Sequence, residues 1–360
     1  MNILITGGCG FIGSNFIRHI LSTRQNIKII NLDKLTYAGN LANLSDIEKT
    51  FPQQYRFIKG DIGDQKIVES VFKKNAIEWV INFAAETHVD RSILGPDAFI
   101  KTNIEGTYIL LETARKHWLE KNSTVLNTKR FLHISTDEVY GSLGQTGRFT
   151  EQTSYDPSSP YSASKAAADH LAKSYFRTFG LPVLVTHSSN NYGPYQFPEK
   201  LIPLMIHNAA NGLELPIYGD GRNVRDWIQV EDHCGALLTV LEKGRLGESY
   251  NIGGNSEKQN KEVVESICDY LDHKMGRDAS GPRKRLIKFV SDRPGHDQRY
   301  AIDYTKLHKE TGWEPAVPFD KGLQKTIDWY LENAAWVQAV RDGSYSQYYE
   351  KQYGNRLHGT

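Results

Sequence analysis

Asn2-Ile3-Leu4-Ile5-Thr6 runs directly into Gly7-Gly8-Cys9-Gly10-Phe11-Ile12-Gly13, and residues 14–21 then place apolar side chains at helical spacing. Asn2 and the four apolar or β-branched residues that follow it, ended by glycine, read as a short buried strand. Three glycines spaced three apart, between a first strand and a first helix, form a Gly-x-x-Gly-x-x-Gly fingerprint for a dinucleotide. Gly7 makes the tight turn, Gly10 lets the backbone approach a pyrophosphate, and Gly13 lets the helix pack against the strand. The helix N-terminus then presents free N–H groups and positive partial charge to the phosphates. The spacing therefore predicts an α/β chain of the Rossmann type, a doubly wound parallel sheet.

The following segments keep that rhythm. Residues 27–32 read as a second strand ending at Asp33, about 20 residues after the last glycine, where a carboxylate meets the ribose hydroxyls of NAD. A carboxylate there repels a 2′-phosphate, so the expected cofactor is NAD rather than NADP. Residues 55–58 read as a third strand, followed by Asp61, which is placed either to accept from an adenine amino group or simply to make a turn. Residues 79–84 read as a fourth strand; small Ala84 and Ala85 allow close backbone approach, and Thr87 points toward a substrate. His88 is read as structural. Residues 97–118 carry the apolar stripe of one long helix that includes Thr102, and residues 122–129 read as a polar loop.

The fifth strand delivers the chemistry. Phe131-Leu132-His133-Ile134 leads into Ser135-Thr136-Asp137-Glu138-Val139-Tyr140-Gly141. Ligands of open parallel sheets bind outside the carboxyl ends of the strands, so Thr136, Asp137 and Glu138 should face one. Side chains alternate along a strand, so the two carboxylates converge only if the chain turns here, as Gly141 permits. After a loop rich in Gly, Ser, Thr and Pro at residues 144–160, Tyr161-Ser162-Ala163-Ser164-Lys165 opens a helix expected to reach Phe179. Tyr and Lys four apart share a helical face, and an ammonium there should lower the phenol pKa and make it a base. Tyr55/Lys59 and Tyr270/Lys274 match the same spacing, but only Tyr161 follows the strand-five hydroxyl and starts a helix.

Bulk properties narrow the classes. The 360 residues are 39% hydrophobic and 24% charged, with 43 basic against 42 acidic residues and a net charge of +1. No global field favours nucleic acid or an anionic membrane, so anion recognition must be local. Cys9, Cys234 and Cys268 show no metal spacing and are odd in number, which points to a reducing compartment and no metal. No secretory leader and no membrane-length apolar run are read in the sequence; the expected location is cytoplasmic.

Gly7-x-x-Gly10-x-x-Gly13, Asp33, Thr136 and Tyr161-x-x-x-Lys165 resemble the extended short-chain dehydrogenase/reductases. Within that superfamily, five stretches resemble the dTDP-glucose 4,6-dehydratase family: Asp33-Lys34-Leu35-Thr36-Tyr37-Ala38-Gly39-Asn40, Ser135 to Gly141, Ser189-Asn190-Asn191-Tyr192-Gly193-Pro194, Phe197-Pro198-Glu199-Lys200-Leu201-Ile202-Pro203 and Asp292-Arg293-Pro294-Gly295-His296. The likeness covers residues 1–330, with a short loop between Gly141 and Phe149 as a departure. It implies a Rossmann-type domain over residues 1–189, to which some later segments return. It also implies a smaller mixed α/β lobe for the substrate over 190–340 and a tail at 341–360. By the same resemblance NAD, tightly held and regenerated each cycle, is bound by Gly7, Gly10, Phe11, Ile12, Gly13, Asp33, Lys34, Leu35, Thr36, Asp61, Ile62, Phe83, Ala84, Ala85, Glu86, Thr87, Thr102, Tyr161, Lys165 and Asn191. A dTDP-glucose substrate meets Thr87, Thr136, Asn190, Lys200, Leu201, Pro216, Ile217, Tyr218, Arg225, Asn260 and the Asp292 to His296 run. Arg225 and Arg293 would flank the diphosphate, since arginine donates bidentately to phosphate, and Tyr218 would border the pyrimidine. Helices expected at residues 261–275 and 320–336 are read as core.

The implied activity is dehydration of the sugar for deoxysugar synthesis, including the rhamnose precursor, with catalysis by Thr136, Asp137, Glu138, Tyr161 and Lys165. Asp137 is then the acid and Glu138 the base, acting after C4 has become a ketone that acidifies C5. A homodimer through a four-helix bundle is also implied. A nucleotide-sugar 4-epimerase would share the glycines, Asp33 and the Tyr-Lys pair but needs no acid and base at C5 and C6. A silent NAD-binding scaffold needs none of the catalytic set.

Overall fold

The computed structural model describes residues 1–120, 128–277 and 280–341. Residues 122–127 of the expected polar loop, and all of the expected tail except Arg341, lie outside the described residues.

Seven parallel strands make the central sheet: β1 (Asn2–Thr6), β2 (Lys28–Asp33), β3 (Tyr55–Lys59), β4 (Trp79–Asn82), β5 (Arg130–Thr136), β6 (Val183–Ser188) and, from the second half of the chain, Ser249–Ile252. With β7 (Asn190–Tyr192), β8 (Leu215–Tyr218) and β9 (Val224–Gln229) between them, that last strand is β10. The order is β10-β6-β5-β4-β1-β2-β3, so the winding reverses between β1 and β4. This is the crevice where a doubly wound sheet binds its ligand. Leu4, Ile5, Val80, Ile81, Phe131, Leu132 and Leu184 are fully buried on the sheet's two faces, as expected for strands covered on both sides. Two small sheets complete the molecule: β7 and β9 with β11 (Glu257–Gln259), and β8 with β12 (Ile287–Val290). Around them a separate apolar core gathers Tyr192, Met205, Ile217, Trp227, Ile267 and Phe319.

Three elements differ from the sequence expectation. The fourth strand stops at Asn82, although Phe83 N still donates to Thr6 O (3.1 Å) and Ala84 N to Thr6 Oγ1 (3.3 Å). The long helix at 97–118 is not continuous: an α-turn at Asp97–Phe99 opens into a π-turn at Ile100–Gly106 before regular helix resumes at Thr107–Trp118. The cause is Asn103, whose amide accepts from Glu86 N (2.9 Å) and donates to Glu86 O (3.0 Å) and Ser164 Oγ (2.8 Å). The wider turn pins the loop after β4 to the helix Pro160–Phe179. The last helix breaks at Asn333 into Phe319–Glu332 and Ala334–Val340.

Candidate active site

The glycine loop is built on contacts that no side chain could share. Gly7 has φ +68°, and a Cβ there would lie 2.6 Å from Ala84 N; a Cβ on Gly13 would lie 2.5 Å from Gly7 O. Gly10 opens the helix Phe11–Thr23 without a side-chain cap, which leaves its first N–H groups for an anion. Gly7→Ala combines a strained backbone with this overlap, about 1–3 kcal/mol for the backbone alone. The variant is expected to lose bound dinucleotide, read by releasing and quantifying it from purified protein; wild-type content would contradict the cradle.

Beside the loop, Asp33 is nearly buried. Its Oδ2 accepts from Cys9 N (2.8 Å) and its Oδ1 from Leu35 N (2.7 Å), which fixes the carboxylate at the strand end with lone pairs to spare. Lys34 and Asp61 form an ion pair at 2.6 Å across the same rim. These residues line one wall of a cavity of about 300 Å³ that runs from Gly7 and Asp33 past Ala84, Ala85 and Thr102 to Thr136, Asp137, Glu138, Tyr161 and Lys165. Every residue expected at the cofactor lines it except Leu35, which takes φ +57° and packs against the main core instead.

At the far wall, the backbone turns as the two carboxylates require. Thr136 caps a short 3₁₀ turn, Asp137–Tyr140, its Oγ1 accepting from Glu138 N (3.3 Å). Gly141 closes the turn at φ +84°, where a Cβ would stand 2.4 Å from Asp156 O. Asp137 is 2% exposed and its Oδ2 has no partner within the described residues. Burial, then Glu138 and Asp226, push its carboxyl pKa well above the ordinary range. Burial also raises Glu138, but Arg293, Lys200 and Arg225 pull it back. Both carboxyls are thus raised, Asp137 well above its ordinary range, which favours Asp137 as the member of the pair that holds a proton.

Tyr161 and Lys165 stand across from them. Burial and the charge of Glu138 raise the phenol pKa, with Thr136 the neighbour that opposes. Lys165 Nζ donates to Ile134 O at 2.6 Å, and burial brings its own pKa down to about 8.

The residues expected at the substrate divide into two groups. Thr87, Thr136, Asn190 and Lys200 line the cavity, and Lys200 Nζ donates to Thr87 O (3.2 Å). Leu201, Pro216, Ile217, Tyr218, Arg225, Asn260, Asp292, Arg293, Pro294, Gly295 and His296 do not line it. Pro216 and Ile217 are buried on β8, with the Ile217 side chain in the second core, so only backbone is on offer there. Arg225 gives its terminal nitrogens to Val224 O, Gln298 O and Asp297 O. Arg293 keeps a buried, unpartnered Nη1 3.8 Å from Asp90 Oδ1, and Tyr218 Oη donates to Asp90 Oδ2 (3.2 Å).

Sequence reading passed over Gln196, Phe197 and Glu199, which also line the cavity. Glu199 is buried and paired with Arg91 at 3.3 Å, and Arg91 lies 3.8 Å over the Tyr37 ring. The signal was a charged pair, Glu199-Lys200, inside an otherwise apolar and Pro-bounded run. His88, read as structural, is buried 4.0 Å from Glu199.

The residues fit a dinucleotide with a sugar beyond it: a glycine cradle with no room for Cβ, a strand-end carboxylate, and, in the lining residues Asp137, Ser189 and Asn190, buried polar atoms with no hydrogen-bond partner among the described residues. The GDP-mannose 4,6 dehydratase family model matches residues 4–326. A dTDP-glucose 4,6-dehydratase of Xanthomonas campestris pv. campestris (strain B100) is 57% identical over 342 residues, 95% of this chain and 96% of that protein. Among solved structures, the dTDP-glucose 4,6-dehydratase of Bacillus anthracis str. Ames in complex with NAD superposes with a TM-score of 0.83 at 49% identity, over 94% of this chain and 99% of that one. The enzyme of that name from Streptomyces venezuelae, also with NAD bound, gives 0.86 at 44% identity, over 94% and 100%.

Proposed function

The chain belongs to the GDP-mannose 4,6 dehydratase family, and from that premise we propose that it dehydrates dTDP-glucose to dTDP-4-keto-6-deoxyglucose as an NAD-dependent hydro-lyase. The observation that carries the reading is the Asp137–Glu138 pair, both lining the cavity with Tyr161, with the Asp137 carboxyl raised well above its ordinary range and Glu138 flanked by the positive charges of Arg293, Lys200 and Arg225. An epimerase has no use for such a pair, and a scaffold has no use for any of the set.

NAD, when bound, accepts two electrons from C4 and returns them to C6. The side chains move the protons. Tyr161 Oη takes the proton of the C4 hydroxyl, with Thr136 Oγ1 orienting that hydroxyl. The ketone at C4 makes the C5 hydrogen acidic, and Glu138 removes it. Asp137, held protonated by burial, gives its proton to the C6 hydroxyl, which leaves as water. Glu138 then returns its proton to C5. Lys200 and Arg293 supply the positive charge near Glu138 that a nucleoside diphosphate would meet, and Asn190 Oδ1 and Ser189 Oγ await sugar hydroxyls. Residues 1–189 hold the cofactor and 190–340 most of the nucleotide-sugar. A panel of nucleotide-sugars, with products weighed by mass spectrometry, tests this: a dTDP-glucose product lighter by one water is expected, and a product of unchanged mass would overturn it.

No described helix is long and apolar enough to cross a membrane. The three buried free cysteines suit a reducing cytoplasm. Ile100, Tyr108 and Phe179 are 44%, 48% and 45% exposed, on or beside the helices Thr107–Trp118 and Pro160–Phe179. Such large apolar side chains support a homodimer in which these two helices of each copy form a four-helix bundle. Tyr108→Asp is expected to halve the mass in sedimentation; a single-chain mass of 40.8 kDa for the wild type would remove the proposal.

A further inference from the structure

The proton steps above leave unused a group of polar side chains buried beneath the end of β5. At its centre is Asp169, four residues after Lys165 on the helix Pro160–Phe179 and 0% exposed. Its Oδ2 accepts from Ser135 Oγ (2.9 Å), Tyr155 Oη (3.1 Å) and His187 Nε2 (3.0 Å). Its Oδ1 lies 3.3 Å from His133 Nε2, and neither of those two atoms has a hydrogen-bond partner elsewhere among the described residues. Both histidines are fully buried, on β5 and β6. A carboxylate removed from water is costly unless charge and N–H groups answer it, so its placement here needs a reason.

The reason lies in what Ser135 separates. On one side is Ile134, whose carbonyl receives Lys165 Nζ at 2.6 Å. On the other is Thr136, whose hydroxyl caps the Asp137–Tyr140 turn and lies against the Tyr161 phenol. One carboxylate on the helix thus grips the strand residue between both contacts, one helical turn from Lys165 itself. We propose that Asp169 is a positioning residue for the dehydration: it ties the end of β5 to the helix that carries Tyr161 and Lys165, and it is the buried counter-charge of Lys165. This rests on the dehydratase reading above and gives a role to a residue outside the proton transfers.

The groups facing Asp169 are consistent with an anion. From β5 and β6 come His133 and His187; from the preceding loop Tyr155, and from the turn after β5 Tyr140. From its own helix come Tyr161, Lys165 and Lys173. Burial takes the Lys165 ammonium down to about 8, and Asp169 is what opposes that fall. His133 is held near 4, hence neutral, while Asp169 stays far below the usual carboxylate range. An ammonium is lost as pH rises through its pKa. Without the Asp169 charge, Lys165 gives up its proton at a lower pH, and the alkaline limb of kcat moves down.

The test compares wild type, Asp169→Asn, Asp169→Glu and Ser135→Ala as purified holoenzymes, with kcat and KM for dTDP-glucose measured across pH. Asp169→Asn should shift the alkaline limb of kcat to lower pH by roughly one unit, the size of a nearby opposite charge, with KM little changed. Asp169→Glu restores the charge and should restore the limb. Ser135→Ala keeps the charge but frees the strand end. It should lower kcat about tenfold, the scale of a small misplacement, with the limb unmoved; this variant stands should Asp169→Asn fail to fold. An Asp169→Asn limb superimposed on that of wild type, or wild-type kcat in Ser135→Ala, overturns the inference. A wild type that releases no lighter product overturns the dehydratase reading instead, and the inference with it.

Discussion

Asp137→Asn is expected to stop water loss while leaving oxidation at C4 in place. Asparagine fills the same buried space but cannot give up a proton to the departing C6 hydroxyl. General acids of this kind contribute about 10²–10⁴ in rate, so turnover should fall by that factor while reduced NAD accumulates on mixing with dTDP-glucose, read by its absorbance. Formation of the 4-keto-6-deoxy product at the wild-type rate would sink the acid assignment. The substitution also has a consequence for stability. The Asp137 carboxyl is raised by burial first and by Glu138 second, so the native state holds its proton above the unfolded value of about 3.9. Where the native state binds more protons, stability falls as pH rises. Wild type therefore loses stability from Asp137 as pH climbs from about 4 through the raised value, and Asn has no such loss. Asp137→Asn should melt no lower than wild type at neutral pH, and the margin should shrink on acidification. A variant less stable at neutral pH than at pH 4, relative to wild type, would contradict the buried, protonated acid.

Tyr161→Phe carries the second large effect, on the first step. The ring is 7% exposed and stacks edge-on against Phe99 at 6.3 Å, so phenylalanine keeps the packing and removes only the proton acceptor for the C4 hydroxyl. Reduction of bound NAD in a single turnover should slow by about 10²–10⁴, with substrate affinity nearly unchanged. Accepting the C4 proton requires Tyr161 as the tyrosinate, a form that the Thr136 hydroxyl favours while burial and the charge of Glu138 oppose it. An unchanged rate of NAD reduction in Tyr161→Phe would remove Tyr161 from this step.

How far such a site can be read from sequence depends on whether its causes are local. The turn at Gly7, the carboxylate of Asp33 and the turn closed by Gly141 follow from residues within a few positions of one another, and the chain shows them. The π-turn at Ile100–Gly106 does not, because its cause is tertiary: Asn103 reaches the backbone of Glu86 and the hydroxyl of Ser164. The partner of Lys165 is a backbone carbonyl on β5, and no spacing rule names a carbonyl. The backbone carbonyls that hold the Arg225 guanidinium, those of Val224, Asp297 and Gln298, are likewise beyond any spacing rule. Ile217 belonged to a matched motif, but β8 turns that side chain into the second core. Asp169 shows the reverse case: His133, Ser135 and His187 look unrelated in sequence and meet only because β5 pairs in register with β6.

The most direct measurement uses dTDP-glucose deuterated at C4, with the product examined by mass and by NMR. The account predicts a product lighter by one water, a ketone at C4 and the label carried to C6. A product of unchanged mass with the label still at C4 would contradict it.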